Sequence, residues 1–337
     1  MHYRRSLLGA LPFLATPVLA TPILATSILA TPAIAQNRWA PTRSVRLVVP
    51  FPAGGSPDVL TRLMAPHAQA ALGQSALVEN RTGAGATVGS GFVAREAPDG
   101  HTILVAVISS LTAPMMMNPA PYDPVRDFRP LSMLAITPTV LVTRPDYPAR
   151  NVQEWHEVIQ RNPGRFTFAS GGVGNPAHLA GELYRSMTRA DITHVAFRGS
   201  APALVELRAG RVDFSILDLP SAAAMIADRA LPALAVGTAE RLPTLPDLPT
   251  ISEAVAPGFE AYSWVMWWLA AATPDNIATR LGEVANEALR QPDVQARGTQ
   301  AGFLLRGTDA AGARAHVAAE SEKWGRIIRE RSITFEG

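Results

Sequence analysis

The chain has 337 residues, 47% of them apolar and 17% charged, a balance that suits a folded globular protein long enough for two domains. Of 30 basic and 28 acidic side chains, Arg4 and Arg5 fall in an acid-free leader, so the rest of the chain carries 28 of each and is close to neutral. With no basic patch and no interleaved aromatics, nucleic acid is excluded as a partner. The absence of cysteine excludes disulfides, thiolate metal sites and cysteine nucleophiles.

Residues 1–35 read as a signal peptide. Arg4-Arg5 supplies the charged start, Leu7-Leu8 opens the apolar part, and Ala33-Ile34-Ala35 fits a small-residue cleavage site. Arg4-Arg5-Ser6-Leu7-Leu8 also resembles a twin-arginine signal. A pentapeptide repeat beginning at Ala15, Ala20 and Ala25 puts Pro17, Pro22 and Pro32 in the segment, which argues against a membrane-spanning helix. Export to the periplasm is the expectation.

Val45 to Val49 reads as a buried strand. It runs into Pro50-Phe51-Pro52-Ala53-Gly54-Gly55 and then into Ser56-Pro57-Asp58, where Ser56 as N-cap, Pro57 at the first helical position and Asp58 in the first turn announce a helix. Glycine lets backbone approach a ligand, and the free N–H groups at a helix start favour an anion. Asp58 is either a first-turn cap or a ligand group. A strand at Ala76 to Glu79 leads to a second glycine loop, Gly83-Ala84-Gly85-Ala86-Thr87-Val88-Gly89, whose spacing is not the dinucleotide fingerprint. A helix around Ser90 to Ala97, the turn Pro98-Asp99-Gly100 and a strand His101 to Val107 with Ser109-Ser110 after it follow. Asn118 to Pro130 reads as irregular surface, and Leu131 to Val142 as a long apolar stretch ending at a domain crossover near Thr143-Arg144-Pro145.

After an amphipathic helix Val152 to Arg161, the opening pattern recurs. Phe166 to Ala169 is a strand, Ser170-Gly171-Gly172-Val173-Gly174 a glycine loop, and Asn175-Pro176 starts a helix through His178, Leu179 and Leu183. Two such units in different halves would face each other across a cleft and cradle a small anion. Further strands are expected at Ile192 to Phe197, Val212 to Leu217 (with Asp218 at its end) and Ala233 to Val236. Helices are expected at Pro202 to Ala209 and up to Asp228. The Pro-rich Leu242 to Pro249 returns to the first domain, Tyr262 to Ala272 is apolar and aromatic, and the last stretch holds two helices. The βα alternation implies a largely parallel α/β sheet, with ligands beyond the C-terminal strand ends.

A hydrolase built on Ser170, His178 and Asp218 is the rival reading, but no Gly-x-Ser-x-Gly elbow supports it. His178 either contacts ligand or ties down its loop. His67, His101, His156, His194 and His316 share no metal-ligand spacing and read as scattered. Trp264, Trp267 and Trp268 read as core, Met115 to Met117 as packing, and no cofactor is expected.

An ordered set of motifs carries a family resemblance. These are Val49-Pro50-Phe51-Pro52-Ala53-Gly54-Gly55 with Asp58, Glu79-Asn80-Arg81-Thr82-Gly83-Ala84-Gly85, Ala97-Pro98-Asp99-Gly100 and Tyr122-Asp123-Pro124. Ser170 with Gly172 and Gly174, His178-Leu179-Ala180-Gly181-Glu182, Leu219-Pro220-Ser221 and Leu245-Pro246-Asp247-Leu248-Pro249-Thr250 complete it. The chain resembles the extracytoplasmic solute-binding proteins of tripartite tricarboxylate transporters, the Bug family, over about residues 43–330. The resemblance implies a non-catalytic, monomeric protein with a type 2 periplasmic-binding-protein fold. Two α/β domains, 42–140 with 240–337 and 141–239, would be joined by crossing strands around a ligand cleft. It implies a small carboxylate ligand and delivery to a membrane permease or a sensor. Ligand contacts carry over to Phe51, Ala53, Gly54, Gly55, Ser56, Asp58, Ser170, Gly172, Gly174, Asn175 and His178, with Ser109 and Asp218 beside them. Ser56-Pro57, Asn175-Pro176-Ala177 and Phe197-Arg198-Gly199-Ser200 depart from the family by losing hydroxyls and gaining apolar surface. An aromatic monocarboxylate is therefore the expected ligand rather than citrate.

Overall fold

The computed structural model describes residues 38–335, so the proposed signal peptide lies outside the described residues. The first half runs β1 (Val45–Val49), α1 (Ser56–Leu72), β2 (Ala76–Asn80), α2 (Thr87–Ala94), β3 (Thr102–Val107), the short α3 (Ile108–Thr112) and the long β4 (Phe128–Thr143). Next come α4 (Val152–Arg161), β5 (Phe166–Ser170), α5 (Pro176–Thr188), β6 (Ile192–Ala196), α6 (Ser200–Arg208), β7 (Phe214–Asp218), α7 (Leu219–Ala227) and β8 (Ala233–Val236). The chain ends with α8 (Ile251–Ala254), β9 (Tyr262–Ala270), α9 (Asp275–Leu289), α10 (Pro292–Gln300), the two-residue β10 (Leu304–Leu305) and α11 (Ala310–Glu330).

The strands order as β2-β1-β3-β9-β4-β7-β5-β6, with β8 and β10 also paired to β4. The βα units pair in parallel, β1 with β2 and β3, and β5 with β6 and β7. The sheet is nevertheless mixed rather than largely parallel, because β4 runs antiparallel to β7, β8, β9 and β10. Strand pairing across the middle of the molecule is non-local, and βα alternation says nothing about it. The end of the chain also differs from expectation, with three helices, α9 to α11, instead of two. Helix α2 begins at Thr87 rather than near Ser90, and the stretch read as irregular already enters β4 at Phe128.

β4 belongs to both halves. Phe128 to Pro138 pairs with β9, whereas Thr139 to Thr143 pairs with β7. At the changeover the Gly237 N–H donates to the Thr139 carbonyl at 2.9 Å, and the Ala261 N–H donates to the Gly237 carbonyl at 2.8 Å. The Thr139 hydroxyl donates to the Ala261 carbonyl at 2.6 Å. A Cβ on Gly237 would stand 2.1 Å from Thr139 Oγ1 and 2.9 Å from the Ala261 carbonyl, so only glycine lets these three backbones meet.

Side-chain alternation sorts the core. On β9, Trp264, Met266 and Trp268 enter one cluster and Val265, Trp267 and Leu269 another, on opposite sheet faces. β3 divides in the same way, with Leu104 and Ala106 against Ile103 and Val105. Both faces are covered by helices, which is why β9 is a nearly unbroken apolar run. The first of these clusters continues under the second half through Leu141, Phe168, Phe214 and Ile216. All three tryptophans of β9 are fully buried, each contributing about 1.5–3 kcal/mol by burial.

Gly237→Ala should destabilise the protein by roughly 1–3 kcal/mol in urea unfolding, because neither Thr139 nor the Ala261 backbone can yield. Gly282→Ala, inside α9 with its nearest neighbour 3.8 Å away, is the contrasting control and should stabilise by about 0.5–1 kcal/mol. Equal effects of the two substitutions would refute the junction's tightness.

Candidate functional site

Two glycine loops converge at the C-terminal ends of β1 and β5. In the first, Pro50 to Gly55 turns from β1 into α1, and Gly54 sits at φ +82°, a conformation that side chains resist. Helix α1 starts at Ser56; its N-cap is Gly55, with no side-chain cap, so Ser56 is not the capping residue that the sequence suggests. Asp58 is buried and turned onto the loop. Its carboxylate accepts the Gly54 N–H and Arg62 Nε at 2.9 Å each and Asn80 Nδ2 at 2.9 Å. Burial pushes the Asp58 carboxyl up, but the hydrogen bonds from Arg62, Gly54 and Asn80 outweigh it and hold it below the usual carboxylate range. Asn80 also donates to the Phe51 carbonyl at 3.0 Å, fixing the loop from a second side. Ala53 and Gly54 remain exposed. The first-turn amides of Ser56 and Asp58 have no carbonyl one turn behind them in the helix, so they stay available as donors.

The second loop, Ser170 to Gly174, is held more tightly. Asn175 caps α5, its Oδ1 accepting the Ala177 N–H at 2.9 Å. His178 Nδ1 accepts the Gly174 N–H at 3.1 Å, so the histidine ties down the loop. Ser170 Oγ accepts the Gly172 N–H at 3.1 Å, reaches the Gly172 carbonyl at 3.1 Å and lies 2.7 Å from His194 Nε2. His194, which sequence spacing left among the scattered histidines, is thus part of this site. The register that pairs Phe168 with His194 places the imidazole there, and strand register cannot be read from local sequence. Phe168, His194 and His178 form a stack, with the two imidazole centroids 4.1 Å apart.

Two hydrogen bonds join the halves at the loops. Ser109 Oγ, on α3, donates to the Gly174 carbonyl at 3.2 Å. Ser56 Oγ donates to Asp218 Oδ2 at 3.1 Å, across 162 positions of sequence. Met116 also lies against Gly174, where a Cβ would come within 2.3 Å of its methyl. Asp218, at the end of β7, further accepts from Ser200 at 3.4 Å and from Ser221. The residues singled out by sequence are therefore brought together, but not as a triad. Ser170 contacts His194 rather than His178, and Asp218 contacts serines.

Burial lowers the His178 imidazole to about 4, helped by Arg185, and lowers His194 to about 3, helped by His178 and Arg185. Both are therefore neutral in the fold, as the acceptor role of His178 Nδ1 requires. A histidine whose folded value lies below its unfolded value contributes stability that is complete above about pH 6.5 and is lost as the pH falls towards about 4. For His178 the loss amounts to roughly 3 kcal/mol. His178→Asn keeps an acceptor for Gly174 but cannot titrate, and should flatten the fall of the melting temperature between about pH 6.5 and 4. Identical acid slopes for the variant and the parent would refute this role.

The arrangement matches known proteins over most of its length. The family model described as "Tripartite tricarboxylate transporter family receptor" matches residues 60–333. Protein BugT of Bordetella pertussis is 34% identical over 300 residues, covering 86% of this chain and 90% of that protein. The structure of the periplasmic binding protein BugD superposes with a TM-score of 0.78 at 31% identity, covering 87% of this chain and 99% of that one. MatC from Rhodopseudomonas palustris, solved with bound malate, gives a TM-score of 0.78 at 30% identity, with 86% and 99% covered. The fold is thus the two-domain α/β fold of periplasmic binding proteins, and the chain belongs to the tripartite tricarboxylate transporter receptor family, the Bug-type solute-binding proteins, which are receptors rather than enzymes.

Proposed function

We propose that this protein is exported by its first 35 residues, captures a small organic acid between its two halves, and delivers it to a tripartite tricarboxylate-type permease or to a sensor. The observation that carries the reading is a pair of glycine loops, each leading into a helix N-terminus, with Ser109 bonded to the second loop at Gly174 and Ser56, at the start of α1, bonded across to Asp218 at the end of β7. Free first-turn amides and the positive ends of α1 and α5 would take up a carboxylate without a buried arginine. The loop amides of Gly54, Gly172 and Gly174 already have partners in Asp58, Ser170 and His178. On this reading those contacts shape the cradle and the remaining donors of Ser56, Asp58 and His178 meet the ligand.

The division into 42–140 with 240–337 and 141–239 is part of the proposal, supported by the change of partner along β4 and by the return through Gly237. Hinge bending there would open and close the cleft. The malate in MatC supports an organic acid in this kind of site. Pro176 and Phe197, both only partly buried, are the apolar groups that favour an aromatic monocarboxylate over citrate.

The test is thermal shift of the mature protein, freed of ligand by unfolding and refolding, against mono-, di- and tricarboxylates with aromatic acids included. An aromatic monocarboxylate should raise the melting temperature once its concentration exceeds its dissociation constant. A response to citrate alone would refute the aromatic reading, and silence from the refolded protein would refute carboxylate capture. Gly172 sits at φ +124° with no atom closer than 3.5 Å to an added Cβ, so Gly172→Ala strains the loop without a clash. It should weaken the responding acid about tenfold by calorimetry. Unchanged affinity would remove this loop from the site.

A further inference from the structure

Resting on the proposed capture of an organic acid, one residue sets a further condition on that acid. Asp218 is a buried carboxylate, 9% exposed, at the end of β7 where the two halves meet. Its partners are three serine hydroxyls: Ser56 from the start of α1 and Ser221 from the first turn of α7, both on Oδ2, and Ser200 from the start of α6 on Oδ1. Among the described residues no arginine, lysine or histidine stands within ion-pair distance of it. Three helix starts and three hydroxyls solvate this charge in place of a cation.

That arrangement is asymmetric. Oδ2 is doubly served, whereas Oδ1 has only the 3.4 Å contact from Ser200, a weak bond that leaves acceptor capacity open. The Ser56 hydroxyl comes from the opposite half, from the same helix turn whose amides would hold the ligand's carboxylate. A ligand bound at α1 therefore lies next to a fixed negative charge. A second carboxylate there would be repelled, and an apolar group would leave Oδ1 underserved in a closed, water-poor cleft. A hydroxyl or ammonium hydrogen would complete it.

We propose that Asp218 is a specificity-determining residue that selects acids carrying a hydroxyl or ammonium donor beside the carboxylate held at α1.

The experiment is isothermal titration of the refolded, ligand-free protein with matched pairs differing by one donor: phenylacetate and mandelate, 3-phenylpropionate and 3-phenyllactate, succinate and malate. In at least one pair the donor-bearing acid should bind about tenfold tighter, and Asp218→Asn should reduce that ratio to near one. Ser56→Ala, which keeps the aspartate, should retain the preference. Binding of both members of every responding pair with equal affinity overturns the inference but leaves acid capture standing, as does a preference that survives in Asp218→Asn. Silence across all pairs overturns acid capture itself, and this inference with it. If Asp218→Asn fails to fold, Asp218→Ser takes its place, with the same loss of the ratio expected.

Discussion

The molecule depends on one strand that serves two sheets. β4 begins as a partner of β9 and ends as a partner of β7, and the crossing is fixed by Gly237 inserted between Thr139 and Ala261. Everything that faces the cleft is referenced to this point, because the loops of the two halves hang from strands whose separation β4 sets. The same apolar cluster runs under both sheets, through Leu104 and Trp268 on one side and Phe168 and Phe214 on the other. A hinge there, as proposed, would bend without exposing much apolar surface, which would keep the energetic distance between open and closed small.

Apart from the Asp58–Arg62 pair, charge at the cleft is handled by dipoles and hydroxyls. Asp58 locks the first loop, His178 and Ser170 lock the second, and Asp218 gathers the serines of three helix starts. Donors held before a ligand arrives need not be ordered when it binds, so less of the interaction is spent on immobilising the site. Neutral imidazoles suit this scheme: a charged histidine beneath the loop would place a donor against the Gly174 N–H and push the loop away.

Local grammar was legible and distant pairing was not. The unit of strand, glycine loop and helix was readable twice, because Val45 to Val49, the prolines and glycines after it, and Asn175-Pro176 act within a few residues of one another. Asn175 caps its helix as its chemistry suggests, and α4 occupies the residues its apolar spacing marks. The antiparallel β4 and β9 escaped because their partners lie far away in sequence, and an apolar run reads alike in a buried strand of either direction. His194 escaped for the same reason: only the register of β6 against β5 brings it to Ser170. Ser56 looked like a cap, the commonest use of serine before a helix, whereas its hydroxyl reaches a carboxylate that sequence alone could not bring near.

The placing of the tryptophans has an optical consequence. Trp155, Trp264, Trp267, Trp268 and Trp324 are buried to within 1% of complete, and Trp39, partly open, lies edge-on to His101 at the start of β3, at the sheet end away from the loops. No indole is therefore exposed at the two glycine loops. Intrinsic fluorescence of this protein reports the integrity of its interior and is nearly blind to cleft occupancy, so the emission that follows denaturation faithfully would register little when a ligand arrives.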